Sequence, residues 1–160
     1  MNRRQFVGTL AGLFAAVNAA RAQKADPAAP KVQKLKLSVE EWQKRLTPEQ
    51  FAVLRQESTE RAGTSPLNGE KRKGTFSCAG CDLPLFTSET KYESGTGWPS
   101  FYNYIPGRLE TKTDFKLILP RTEYHCARCE GHQGHVFDDG PKPTGKRYCN
   151  NGVALKFIPA

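Results

Sequence analysis

The rhythm of apolar and polar positions changes at about residue 74. Before that point the apolar residues recur at helical spacing. "SVEE" at 38–41 offers a capping box, Ser38 with Glu41, ahead of Trp42 and Leu46. "TPEQ" at 47–50 repeats the device, with Thr47 as cap, Pro48 at the first helical position and Gln50 reaching back, and Phe51 and Leu54 then share a face. Two short helices are therefore predicted, ending before the loop "AGTSPLNGEKRKG". From Gly74 onward, short runs such as "GTFSC", "LPLF", "DFKLILP", "TEYHC", "HVFDD" and "VALKF" are separated by Gly, Pro, Asn and Asp. Phe115, Leu117 and Leu119 alternate with other residues, as do Val153, Leu155 and Phe157, which is the period of strands with one buried face. The pattern predicts two N-terminal helices against a mostly antiparallel β body.

A chain of 160 residues favours a single compact domain. Its first part has a different character. "MNRRQFVGTLAGLFAAVNAARAQ" has a basic start, an apolar run from Phe6 to Val17 too short to span a bilayer, and a small-residue site at Ala20-Arg21-Ala22. Arg3-Arg4 with Phe6 is similar to a twin-arginine signal, which exports folded proteins to the periplasm; a mitochondrial presequence is the rival reading. The expected organisation is a cleavable export signal at 1–22, a flexible tether rich in Ala, Pro, Lys and Gln at 23–34, and one domain at 35–160. Once the signal is cleaved, no stable membrane association is expected. Cleavage after Ala22 lowers the net charge from +8 to +5. So mild a charge serves solubility and gives no case for nucleic-acid binding. Nothing resembles an association helix, so a monomer is expected.

Four of the five cysteines come as two Cys-x-x-Cys turns, Cys78/Cys81 and Cys126/Cys129, separated by 44 residues. Two such turns complete a tetrahedral, closed zinc site, which here would tie together two distant hairpins. Disulfides within each pair, or a thioredoxin-like redox pair, are the alternatives. The redox reading wants a parallel βαβ setting, of which the pattern has no trace.

Cys149 is the unpaired fifth. It is either a small buried hydrophobe or a nucleophile. In an extended segment Arg147 and Asn151 share its face, placing a cation and an amide beside the sulfur.

Taken together, "CDLPLF", "YESGTGWPSFY" and "YHCARCEGHQGHVFDDGPKPTGKRYCNNGVALKF" resemble the methionine-R-sulfoxide reductases of the B type, in order, from about Leu35 to Phe157. The resemblance implies two packed antiparallel sheets in a β-tent-like arrangement, with short N-terminal helices and one structural zinc ion on Cys78, Cys81, Cys126 and Cys129. It also implies that Cys149 is the nucleophile. A thiolate is a soft attacker of sulfur that can take up the oxygen and become a sulfenic acid. His135 is then the expected acid, with His132 binding or orienting the oxygen and Asn151 assisting. Trp98 corresponds to the substrate wall, Phe137 lines the same pocket, and Arg147 is expected to bind substrate with them. The implied substrates are oxidised proteins or peptides.

The chain departs from the pattern at Thr96. Many members of the family have a resolving cysteine there, within "SGCGWPSF", whereas this chain reads "SGTGWPSF". A one-cysteine enzyme is therefore expected, its sulfenic acid reduced by a thioredoxin-like protein or a small thiol such as glutathione. Gly152, unusual beside the nucleophile, is expected to loosen the strand. Competing readings are a zinc-ribbon-like binding module and a general disulfide oxidoreductase. Selective alkylation of Cys149 at mild pH separates an enzyme from a binding module.

Overall fold

The computed structural model describes residues 32–116 and 119–160. The expected export signal and most of the tether lie outside them. Two helices open the described chain, α1 (Val39–Arg45) and α2 (Pro48–Gln56), each with a complete capping box, Ser38 with Glu41 and Thr47 with Gln50. Short helices are marginal alone and need tertiary packing. Trp42, Leu46, Val53 and Leu54 supply it by burying one face. Val32 and Leu35 pack against the same core, so ordered packing begins slightly ahead of the expected domain boundary.

Among the described residues nine strands follow: β1 (Gly74–Cys78), β2 (Pro84–Thr87), β3 (Lys91–Tyr92), β4 (Ser100–Phe101), β5 (Leu109–Asp114), β6 (Arg121–Cys126), β7 (His132–Phe137), β8 (Arg147–Asn150) and β9 (Leu155–Pro159). They form two antiparallel sheets, one ordered β2-β1-β9 and the other β3-β4-β8-β7-β6-β5. Aromatic side chains from both sheets fill the space between them. Phe86 of the small sheet stacks on Phe101 of the large one at 4.1 Å, Phe76 meets Phe101 edge-on at 5.0 Å, and Tyr124 and Tyr148 complete the cluster. The two-sheet architecture with two leading helices is the one expected.

Two stretches differ from the strand pattern. "DFKLILP" was expected to alternate with one buried face, yet β5 ends at Asp114 and both Phe115 and Leu119 are 76% exposed; Leu117 lies outside the described residues. The cause is Asp114. Its carboxylate accepts the Lys116 backbone N–H at 2.8 Å, which turns the chain where the apolar period alone would have continued it. At the C-terminal end, Val153 sits in a 3-10 turn (Gly152–Ala154), and only Leu155 and Phe157 belong to the strand.

Candidate active site

The Cys-x-x-Cys turns join β1 to β2 and β6 to β7, so the paired cysteines stand at the ends of two hairpins, one from each sheet. All four sulfurs are buried and lie within 4.8 Å of one another, with Cys78 and Cys129 at 3.6 Å and Cys81 and Cys126 at 3.5 Å. Zinc–sulfur bonds of about 2.3 Å in a tetrahedron put sulfurs about 3.8 Å apart, so the four residues fit one zinc ion. The leading helices cover this site. A methyl on Gly80 would lie 3.5 Å from Leu54 Cδ1, one on Gly131 would lie 2.9 Å from Leu54 Cδ2, and Arg55 donates to the Cys129 carbonyl at 2.7 Å.

Cys149 lies elsewhere, on the central strand β8 of the large sheet. The strand's two-residue period turns Tyr148 and Asn150 into the core and leaves Arg147 and Cys149 on the other face. Across the sheet Cys149 pairs with Ser100 of β4 on one side and His135 of β7 on the other. Directly paired residues project to the same face. The strands can approach here because β7 has Gly134, where a Cβ would lie 1.9 Å from the Cys149 carbonyl oxygen.

A cleft of about 130 Å³ opens over this row. Cys149, His135, Trp98 and Phe137 line it with Asn150, Asn151, Arg121, Thr59 and Gly134. The Trp98 indole is held by its N–H, which donates to the Glu60 carbonyl at 3.2 Å. Arg147 makes a bidentate pair with Asp139 at 2.8 Å and lies over the Phe137 ring at 4.4 Å. His132 is only 3% exposed. Its ring meets His135 edge-on, with centroids 5.4 Å apart, while its Nδ1 donates to Glu123 at 2.7 Å. Burial opposes ionisation of Glu123, but the His125 and His132 imidazoles on its two oxygens hold it down at about 2.

Burial pushes the Cys149 thiol above its ordinary range, partly opposed by the Arg147 guanidinium and the Thr96 hydroxyl. Thr96 belongs to a hydroxyl chain, with Thr96 to Ser94 at 2.8 Å and Ser94 to Ser100 at 2.7 Å, that ends at the strand partner of Cys149. Burial also lowers His135 below the usual imidazole value. Arg121 and His132 add to that shift, and Asp114, accepting from His135 Nε2 at 2.7 Å, opposes it. Asp114 also binds Arg121 at 2.7 Å and is itself held well below the carboxylate range.

The structure thus brings together Cys149, His135, Trp98, Phe137 and Asn151, sets Arg147 beside the sulfur and sets His132 behind His135. Sequence reasoning missed Asp114, Arg121, Glu60 and Gln133. Gln133 stands between the two histidines of the family-like segment without a side chain that announces a role. Asp114, Arg121 and Glu60 lie outside the segments that carry the resemblance and reach the site only through strand pairing or a loop contact. Gly152 does not loosen the strand. It lies past the end of β8 and opens the Gly152–Ala154 turn, where a Cβ would lie 1.8 Å from Ser65 Oγ.

Residues 46–159 match the model of the SelR domain family. The chain is 56% identical over 122 residues to the peptide methionine sulfoxide reductase B1, chloroplastic, of Arabidopsis thaliana, covering 76% of this chain and 60% of the plant protein. It is 55% identical over 121 residues to the peptide methionine sulfoxide reductase MsrB of Methanosarcina barkeri, covering 75% and 85% of the two chains. To the MsrB of Pseudomonas putida it is 52% identical over 130 residues, covering 80% and 97%. It spans about three fifths of the plant relative's length and nearly all of the Pseudomonas one.

Proposed function

The chain belongs to the SelR-domain family, the methionine-R-sulfoxide reductases of the B type, and we propose that it reduces the R diastereomer of methionine sulfoxide, in peptides or proteins, through Cys149 alone. The observation that carries this reading is the cross-strand pairing of Cys149 with His135 at the floor of an aromatic-walled cleft. The four-cysteine site is structural, and zinc there crosslinks the two sheets and stabilises the fold.

The residues divide the chemistry as follows. Trp98 and Phe137 receive the substrate methyl and thioether, with a sulfur–aromatic contact as part of the recognition. Cys149 rests as a thiol because of its burial, and His135 rests neutral. Nε2 of His135 is engaged by Asp114, so Nδ1 is the nitrogen that exchanges a proton. The thiol proton passes to His135, the thiolate attacks the sulfoxide sulfur, and the imidazolium returns the proton to the departing oxygen. The S–S bond made in the attack and the substrate's S–O bond both break as the protonated oxygen passes to Cys149, whose new S–O bond leaves a sulfenic acid and methionine. Asn151 holds the oxygen side of the cleft, Arg147 favours the thiolate, and His132 orients His135.

The sulfenic acid is then attacked by an external thiol, releasing water and forming a mixed disulfide that a second thiol opens. Thr96 supports this one-cysteine route, since a hydroxyl near Cys149 cannot form a disulfide. A thioredoxin-like protein or a small thiol is the reductant. We assign residues 1–22 to export, with the periplasm as destination; the Arabidopsis relative is named as a chloroplast protein. Mixing the reduced enzyme with one equivalent of substrate and no thiol tests the route. A dimedone-type probe should label Cys149 stoichiometrically, and peptide mapping should find no disulfide at Cys149. A bridge from Cys149 to Cys78 or any other cysteine would contradict it.

A further inference from the structure

Glu60 lies in an irregular segment between α2 and β1, and neither its type nor its position marks it in the sequence. Its four polar groups all face the site. The backbone carbonyl accepts the Trp98 indole N–H at 3.2 Å, and the backbone N–H donates to Asn151 Oδ1 at 3.0 Å. The side-chain oxygens accept the backbone N–H groups of Gly152 at 2.5 Å and Val153 at 3.0 Å. One residue therefore binds the aromatic wall, an amide of the cleft and the turn that follows the nucleophile.

We propose that Glu60 is a positioning residue that clamps Trp98 to the Cys149 strand and so fixes the substrate's sulfur against the nucleophile. The inference rests on reading the cleft as a sulfoxide reductase site. Asn151 is held at both ends, since its Nδ2 donates to the Gln133 carbonyl at 2.9 Å. Thr59, the neighbour of Glu60, lines the cleft directly, and Gly63 N–H anchors the same segment to the Gly97 carbonyl at 2.8 Å. The bare turn at Gly152 is what admits Glu60 and Ser65, because a Cβ there would lie 3.1 Å from Glu60 Oε1 and closer still to Ser65 Oγ. The groups that set the thiol's acidity, Arg147 and Thr96, are separate from this clamp. Glu60 thus governs geometry and leaves the intrinsic reactivity of Cys149 to others. Misplacing a reacting group by about 1 Å can cost on the order of a hundredfold in rate.

Glu60→Ala and Glu60→Gln test the clamp. Both keep the backbone bonds to Trp98 and Asn151, so only the hold on Gly152 and Val153 changes. The measurements are kcat and KM for the R diastereomer with dithiothreitol, Cys149 alkylation against pH, and zinc content. Glu60→Ala should lose about tenfold or more in kcat/KM with an unchanged alkylation profile and full zinc, and Glu60→Gln, which keeps one acceptor oxygen, should fall between it and wild type. Wild-type kcat/KM in Glu60→Ala would overturn the proposal. So would a loss matched by an altered alkylation profile or zinc content, which marks a role in the whole fold. If the alanine variant does not fold, the glutamine variant decides by the same comparison. If wild type reduces neither diastereomer, the reductase reading fails on its own. The clamp is then read from hydrogen exchange at the Gly152 and Val153 amides, whose protection Glu60→Ala removes if the clamp exists and keeps if it does not.

Discussion

His135 and Cys149 are direct partners across β7 and β8, so a titratable imidazole and the one cysteine outside the metal site rise side by side from the same face of the sheet. Strand register alone produces this juxtaposition. A slip of one residue in either strand would send the two side chains to opposite faces. The pairing makes the sulfur and the imidazole neighbours, and their opposite displacements bear on how they would work together. The thiol is raised and the imidazole lowered, so both rest uncharged at neutral pH.

Alkylation of Cys149 should therefore report a midpoint above the ordinary thiol value, so burial removes the ready reactivity at mild pH that the sequence alone led one to expect. Below that pKa the thiolate is the minor form, and the reaction rate rises with pH until it is passed. Thr96→Val removes a hydroxyl that pulls the pKa down and should push the midpoint higher, slowing alkylation at pH 7; Thr96→Ser should behave as wild type. Iodoacetamide kinetics across pH 6 to about 10 measure this. A midpoint in Thr96→Val equal to or below that of wild type would remove Thr96 from the account.

Arg121 gives a second handle. It faces His135 as a cation and also shares Asp114 with it. Arg121→Gln deletes the repulsion and leaves Asp114 to the imidazole, and both changes raise the His135 pKa toward or above its ordinary value of about 6.5. If neutral His135 accepts the thiol proton, as proposed, the acid limb of the kcat/KM profile follows this pKa and should move to higher pH in the variant. An unmoved or lowered limb would contradict the assignment of His135.

Removing the metal should disturb the cleft as well as the fold. Gln133 donates to Cys78 Sγ at 3.4 Å, accepts from Asn150 at 3.4 Å through its side chain, and accepts Asn151 through its carbonyl. It thus links a zinc ligand to the residues beside Cys149. Cys126→Ser, or a strong chelator applied to the wild type, should lower the melting temperature sharply and abolish turnover together. Retained turnover in metal-free protein would show that the four-cysteine site is dispensable.

Much of this was legible in the chain. Both capping boxes, the Cys-x-x-Cys turns and the glycine-, aromatic- and histidine-rich segments rest on local chemistry, which a sequence displays directly. What it hid was non-local. Asp114 ends β5 and orients His135 through contacts that only the folded sheet creates, and its turn left Phe115 exposed where alternation pointed to a buried residue. Glu60 meets Asn151 across 91 positions of sequence. Gly152 looked like a flexible point because glycine is permissive, whereas its lack of a side chain is what lets Ser65 approach.

The most direct test of the account is turnover of the separated R and S diastereomers of a methionine sulfoxide peptide with dithiothreitol, by wild type and by Cys149→Ser. The account predicts reduction of the R form alone and no activity in the serine variant. Equal reduction of the S form, or turnover that survives the loss of Cys149, would contradict it.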